Sequence, residues 1–216
     1  MTDRVTSAPA PPRISPLGAG DWGPETLEAL EFGRDSLLAD ALREALAERD
    51  RDRLGAILPN GITGLLHHPR LTGRYLAFNG ALLTDAALPP RWRELLVLRV
   101  AWRTGSQYEW LQHVRMAPRY DLTAEQIEAV ARGEGVWEEP EGDLIAAADQ
   151  LMDHYRVDDA TWARLADHLD TRQLIEVPFV VGAYTLLAMA YLSFDLPVDE
   201  SLRGVDPIVS PEQRSH

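Results

Sequence analysis

From Val177 to Phe194 the chain carries no charged residue. That run is bounded by Glu176 and Asp195 and contains Pro178 and Gly182. It falls short of the ~20 apolar residues that a membrane span requires and has no flanking Lys/Arg cluster. It therefore reads as a helix buried in a core or an oligomer interface. Asp170 is placed to cap it, so the expected helix runs from Thr171 to Ser193.

The rest of the chain repeats the helical signal. Leu27, Leu30, Leu37, Leu38, Ala41, Leu42, Ala45 and Leu46 recur at helical spacing between Pro24 and Arg53, with Asp35-Ser36 as a break and cap. Pro69 opens a helix to Leu83. Pro89-Pro90 starts the most apolar one, through Glu94 to Arg103, and Thr104-Gly105-Ser106 ends it. Gln107 to Ala117 forms the next. Thr123 and Gln126 have the spacing of a capping box, for a short helix ending at Gly133. After a 133–142 linker, helices are expected at Leu144–Tyr155 and Ala160–Leu169. No stretch alternates Val, Ile and Thr between hairpin turns, so the predicted fold class is all-α. A degenerate repeat pairs Glu94 and Gly105–Tyr108 with Glu176 and Gly182–Tyr184.

The 216 residues suffice for one domain with a sizeable core. Residues 1–13 are polar and rich in Pro and Ala, lack the apolar stretch of a signal peptide, and read as a disordered lead. Residues 14–198 read as one helical domain and 199–216 as a tail; the expected location is cytoplasmic. A net charge of −13 repels phosphate backbones, so nucleic acid is not expected as a partner, nor is a membrane. An anionic substrate needs a local basic lining against that field. There is no cysteine, which removes disulfides, thiolate nucleophiles and cysteine metal sites together.

The chemistry-bearing feature is a set of polar residues inside apolar helices. Glu109 and His113, four apart, share one helix face, and Glu94 lies in the preceding helix. Carboxylates and an imidazole converging in a dry site displace one another's pKa values, which suits acid–base catalysis near neutrality. Other readings stay open. Glu109 and His113 can be a solvated pair, and Glu94 can pair with Arg91 or Arg115. Glu109 and His113 can be metal ligands together with Glu94 or His67/His68, although no dense ligand motif is present. The fold can also serve as a non-catalytic oligomeric binding protein. No Gly-rich phosphate loop follows a strand, so no nucleotide cofactor is expected.

The runs LPPRWRELLVLRVAW (88–102) and GSQYEWLQHVRMA (105–117), followed by Leu122-Thr123, Gln126-Ile127 and Ala129-Val130, resemble the carboxymuconolactone decarboxylase family, which includes the alkylhydroperoxidase D-like proteins. The motif core covers 69–133. The resemblance implies an alkylhydroperoxidase D-like helical bundle assembled into homo-oligomers, trimers or hexamers. In the peroxidase branch a Glu, a Cys-x-x-Cys pair and a His form a proton relay. Those places fall on Glu94, Ser106, Glu109 and His113. Serine and glutamate cannot form a redox disulfide, so thiol peroxidase chemistry of the peroxiredoxin type is excluded. What remains is a cofactor-free lyase acting on a small carboxylated lactone or keto acid, or an isomerase or hydrolase with the same groups. The resemblance implies His113 as proton donor or relay, Glu109 as its orienting group or the base, and Glu94 as the group that tunes them. Ser106, Tyr108, Trp110, Arg99 and Arg115 are the expected substrate-binding residues, with Tyr108 and Trp110 as pocket walls and the arginines as carboxylate binders. No metal and no cofactor are implied.

Overall fold

The computed structural model describes residues 11–34, 40–135 and 137–210. The Asp35-Ser36 break and most of the 1–13 lead lie outside the described residues. Within them the chain is helical, with no strand. The helices are α1 (Pro24–Phe32), α2 (Asp40–Ala47), α3 (Arg51–Ile57), α4 (Asn60–Leu65), α5 (Pro69–Thr84), α6 (Pro90–Thr104), α7 (Gln107–Met116), α8 (Ala124–Arg132), α9 (Glu141–His154), α10 (Asp159–His168) and α11 (Thr171–Phe194).

α6 is the central element because its sequence is apolar on nearly every face. Leu95, Leu96, Val97, Leu98, Val100 and Ala101 are all buried. It packs against α7, α8, α9 and α11. Pro90 starts it, and Gly105, in the left-handed region at φ 73°, ends it. The sharp turn sends α7 back along α6, which brings Glu94, near the start of α6, to His113 in the last turn of α7. The Thr123–Gln126 capping box is present, and Asp170 makes a second one with Gln173. α1 and α5 pair beside this centre and carry a separate leucine-rich core.

α11 is the one helix among the described residues with the length and composition to cross a membrane. It continues through Pro178 and reaches one residue past the expected Ser193. Val177, Val180, Val181, Ala183, Tyr184, Leu187, Ala188 and Tyr191 are buried against the bundle. Its other face leaves Ile175, Phe179, Leu186, Met189 and Leu192 exposed.

The two ends of the described chain are tied down. The Arg13 and Ile14 amides donate to the Phe194 carbonyl, and Arg13 pairs with Asp195. Beyond Leu196 the segment expected to be a tail packs on the bundle: Leu202 is fully buried, and Val205, Ile208 and Val209 cover the α6–α8 core.

Candidate functional site

α7 presents Glu109, Gln112, His113 and Met116 along one face, at spacings of three, four and seven. That face meets Glu94 and Arg93 of α6, Asn79 of α5, and Tyr184 and Tyr191 of α11 around a cavity of about 190 Å³. Glu94, Glu109, His113 and Tyr108 all line this cavity; helical spacing accounts for Glu109 and His113 sharing one wall.

The imidazole is held by Glu94. His113 Nδ1 donates to Glu94 Oε1 at 2.8 Å, because a carboxylate can only accept. This corrects the expectation that Glu109 orients the histidine. The Tyr184 ring stands edge-on to His113, 5.3 Å between centroids at 83°. Burial opposes a charge on His113, but the charge and hydrogen bond of Glu94 outweigh it and raise the imidazole's pKa.

Glu109 is in the opposite situation. Its side chain is 3% exposed and neither carboxyl oxygen has a hydrogen-bond partner. Burial pushes its pKa up from 4.5 to about 7, against smaller opposing effects of Ser106 and His113. The Ser106 hydroxyl lies close enough to oppose the rise, yet it makes no hydrogen bond of acceptable geometry. Burial likewise raises Tyr75, Tyr108, Tyr184 and Tyr191, so these phenols stay protonated. The site thus holds an imidazole–carboxylate pair, a carboxyl group pushed towards neutrality, and the protonated hydroxyls of Tyr184 and Tyr191.

Tyr108 is a structural tie as well as a wall. Its hydroxyl accepts from the Gly61 amide at 2.9 Å and donates to Asp199 Oδ2 at 2.6 Å, while Asp199 Oδ1 accepts from the Asn60 amide at 2.8 Å. The approach requires glycine at 61: a Cβ there would sit 2.8 Å from the Tyr191 hydroxyl. The 197–203 segment is thereby pinned beside the cavity mouth.

Four expected binding residues are elsewhere. Trp110 is fully buried on the far side of α7, and its indole N–H donates to the Pro207 and Val209 carbonyls. Two residues on from Tyr108, it points away from the cavity by helical geometry. Arg99 forms a two-pronged pair with Asp149, at 2.7 and 2.8 Å, and donates to the Val130 and Ala131 carbonyls at the end of α8. Arg115 donates to the Ser201 hydroxyl in an outer recess next to the cavity. Ser106 starts α7 beneath Glu109 and is not part of the cavity wall. Arg91 pairs with Glu141, so neither Arg91 nor Arg115 takes Glu94.

The histidines weighed as ligands are apart from the cavity. His67 bonds the Ser15 carbonyl, and His68 caps α5. Among the described residues, no three His, Asp or Glu side chains group as a metal site. The residues that sequence reasoning missed are Arg93, Asn79, Tyr184 and Tyr191. The tyrosines had a signal: they are seven apart in the uncharged run, hence on one face of it.

Residues 69–141 match the sequence model of the carboxymuconolactone decarboxylase family, and they include Glu94, Glu109 and His113. The matched segment contains no cysteine. Solved structures share the fold around it. An uncharacterized peroxidase-related protein from Silicibacter sp. TM1040 superposes with a TM-score of 0.68 at 13% identity, covering 92% of this chain and 98% of its own. The alkylhydroperoxidase AhpD core protein of Ralstonia eutropha JMP134, also described as peroxidase-related, gives 0.64 at 16%, covering 82% and 94%. The debrominase Bmp8 gives 0.65 at 17%, covering 91% and 97%. At such identities these likenesses carry the fold alone. None of the curated proteins compared with the chain matches it.

Proposed function

We propose that this protein is a cofactor-independent acid–base lyase of the carboxymuconolactone decarboxylase type, acting on a small carboxylated lactone or keto acid. The observation that carries the reading is Glu109: a buried carboxyl with two free oxygens and a pKa of about 7, in one cavity with the His113–Glu94 pair. A group poised near the working pH is the best general acid and base.

In this reading, the substrate's carboxylate leaves as CO2 and its bonding electron pair passes into the adjoining conjugated carbonyl. The resulting enolate oxygen accepts hydrogen bonds from Tyr184 and Tyr191, the protonated tyrosines of the cavity whose O–H is not spent elsewhere. Glu109 gives its proton to the carbanion carbon, and solvent restores that proton through His113. Glu94 holds the imidazole in place and favours its charged form. The same residues are consistent with proton transfer between two carbons. CO2 release is what separates a lyase from an isomerase.

The test is turnover of a panel of carboxylated lactones and β-keto acids, without added metal or thiol, followed by CO2 release and ultraviolet absorbance. A substrate whose turnover falls by about 10²–10⁴ in both Glu109→Gln and His113→Gln supports the reading. Turnover without CO2 points to an isomerase. Turnover that is unchanged in Glu109→Gln removes its basis.

A further inference from the structure

We infer that Arg93 is the anchor for a carboxylate of the molecule that occupies the cavity, a group kept throughout the reaction. This rests on the reading of the cavity as a substrate site.

Four arginines lie on α6. Arg91 pairs with Glu141 at 2.6 Å, Arg99 with Asp149 at 2.7 Å, and Arg103 with Asp149 and Asp153, each at 2.6 Å. Arg93 differs. It is 5% exposed, lines the cavity, and has one hydrogen bond, to the Leu82 carbonyl at 3.3 Å. It forms no ion pair among the described residues. The chain has 34 acidic residues and 21 Lys and Arg, so carboxylates are in excess everywhere. A buried guanidinium without one costs several kcal/mol and persists where something else answers the charge. Glu94, its sequence neighbour, is committed to His113.

The charges around the cavity point the same way. Its ionisable lining, apart from tyrosines, is Arg93, His113, Glu94 and Glu109. With Glu109 protonated and His113 charged, the sum is one positive charge inside a chain of net charge −13. One bound monoanion makes the cavity neutral. A carboxylate fits because the planar guanidinium offers parallel N–H groups to two oxygens. Asn79, whose buried Oδ1 has no partner, offers the same cavity an acceptor suited to an O–H of the ligand rather than to its carboxylate. A carboxylate gripped by arginine is stabilised as an anion and opposes its own loss as CO2, so the anchored group is not the one that leaves. This is the basic lining that an anionic substrate needs here, and it comes from Arg93 rather than Arg99 or Arg115.

The experiment is calorimetric binding of 2-furoate and its uncharged analogue 2-furamide at pH 7 and low salt. The proteins are wild type, Arg93→Met, Arg93→Lys and His113→Gln, each checked by circular dichroism. Wild type is expected to bind furoate about tenfold tighter than furamide, the range of a charged hydrogen-bonded contact. The preference should vanish in Arg93→Met, return in part in Arg93→Lys, and weaken in His113→Gln, which removes the imidazole charge and frees Glu94. A second readout is the His113 titration by NMR. Arg93 lowers the imidazole's pKa, so furoate should raise it in wild type and leave it unmoved in Arg93→Met. Equal binding of acid and amide to wild type, no furoate binding at millimolar concentration, or a preference intact in Arg93→Met overturns the anchor. Anion preference without turnover of any substrate keeps the anchor and removes the lyase reading; turnover without anion preference does the reverse.

Discussion

Glu109→Gln should make the protein more resistant to alkaline conditions while it removes the group proposed to react. In the unfolded chain Glu109 ionises near 4.5, whereas in the fold it keeps its proton up to about 7. Between those values the unfolded state binds fewer protons at this residue. Stability therefore falls as pH rises, at ~1.4 kcal/mol per unit over a gap of about 2.5 units. Above pH 7 the ionised carboxylate thus withholds about 3 kcal/mol of stability. Glutamine has nearly the same shape and no charge at any pH. Below pH 4 the two proteins should differ by under ~1 kcal/mol, since Glu109 is then protonated in both states. By pH 9 the variant should have gained about 3 kcal/mol on wild type, or ~6–12 °C in Tm for a chain of this size. The assay is urea unfolding of both proteins at unit steps from pH 4 to 9. Taking the difference cancels the titrating groups that Glu109 does not touch; His113, which the Glu109 charge helps to raise, leaves a smaller contribution. A difference that stays flat with pH, or a variant that is the weaker protein at pH 9, would refute the picture of a dry, unpartnered carboxyl.

Glu94→Gln should lower the His113 pKa, because the Glu94 charge and hydrogen bond are what raise it; NMR titration of the imidazole reads this, and an unmoved curve contradicts the pairing. The stability that this pair contributes is present below the unfolded-state histidine pKa of ~6.5 and is lost as pH rises through the higher folded value. Tyr108→Phe should cost ~1–3 kcal/mol, since it strands the buried Gly61 amide and releases Asp199 Oδ2, with unfolding midpoints as the measure. Trp110→Phe should cost a similar ~1–3 kcal/mol and speed amide exchange in residues 205–209, which lose the indole N–H that two of their carbonyls share.

The helices were legible because their ends are written in local chemistry. Pro90 and Gly105 bracket α6, Thr123 and Gln126 open α8, and Asp170 opens α11, each acting through backbone groups a few residues away. Glu109 and His113 were legible as partners in one wall for the same reason, a spacing of four on one helix. What could not be read was anything decided across helices. Arg99 and Arg115 looked available as carboxylate binders, but α9 brings Asp149 to the first and the C-terminal segment brings Ser201 to the second. Nothing in the sequence singles out Arg93, and only the packing of α5, α7 and α11 around it makes it a cavity cation. Trp110 was drawn into the site by its neighbours in sequence, although two steps along a helix reverse direction. The C-terminal segment lacks periodicity, so its hold on Trp110 and Tyr108 had no signature at all.

By the resemblance, Ser106 and Glu109 stand where the peroxidase branch of the family has its cysteines. Beside them His113 and Glu94 are hydrogen-bonded at 2.8 Å. Replacing a thiol by a carboxyl removes the two-electron step and leaves a proton-exchanging group in the same place. The burial that would suppress a thiolate instead pushes the carboxyl to about 7, where it can both give and take a proton. Restoring Cys at 106 and 109 together would therefore separate the two roles of the scaffold. The double variant should lose any acid–base turnover that depends on Glu109, while the His113–Glu94 pair, which neither substitution touches, keeps its NMR titration within the small shift expected from losing the Glu109 charge.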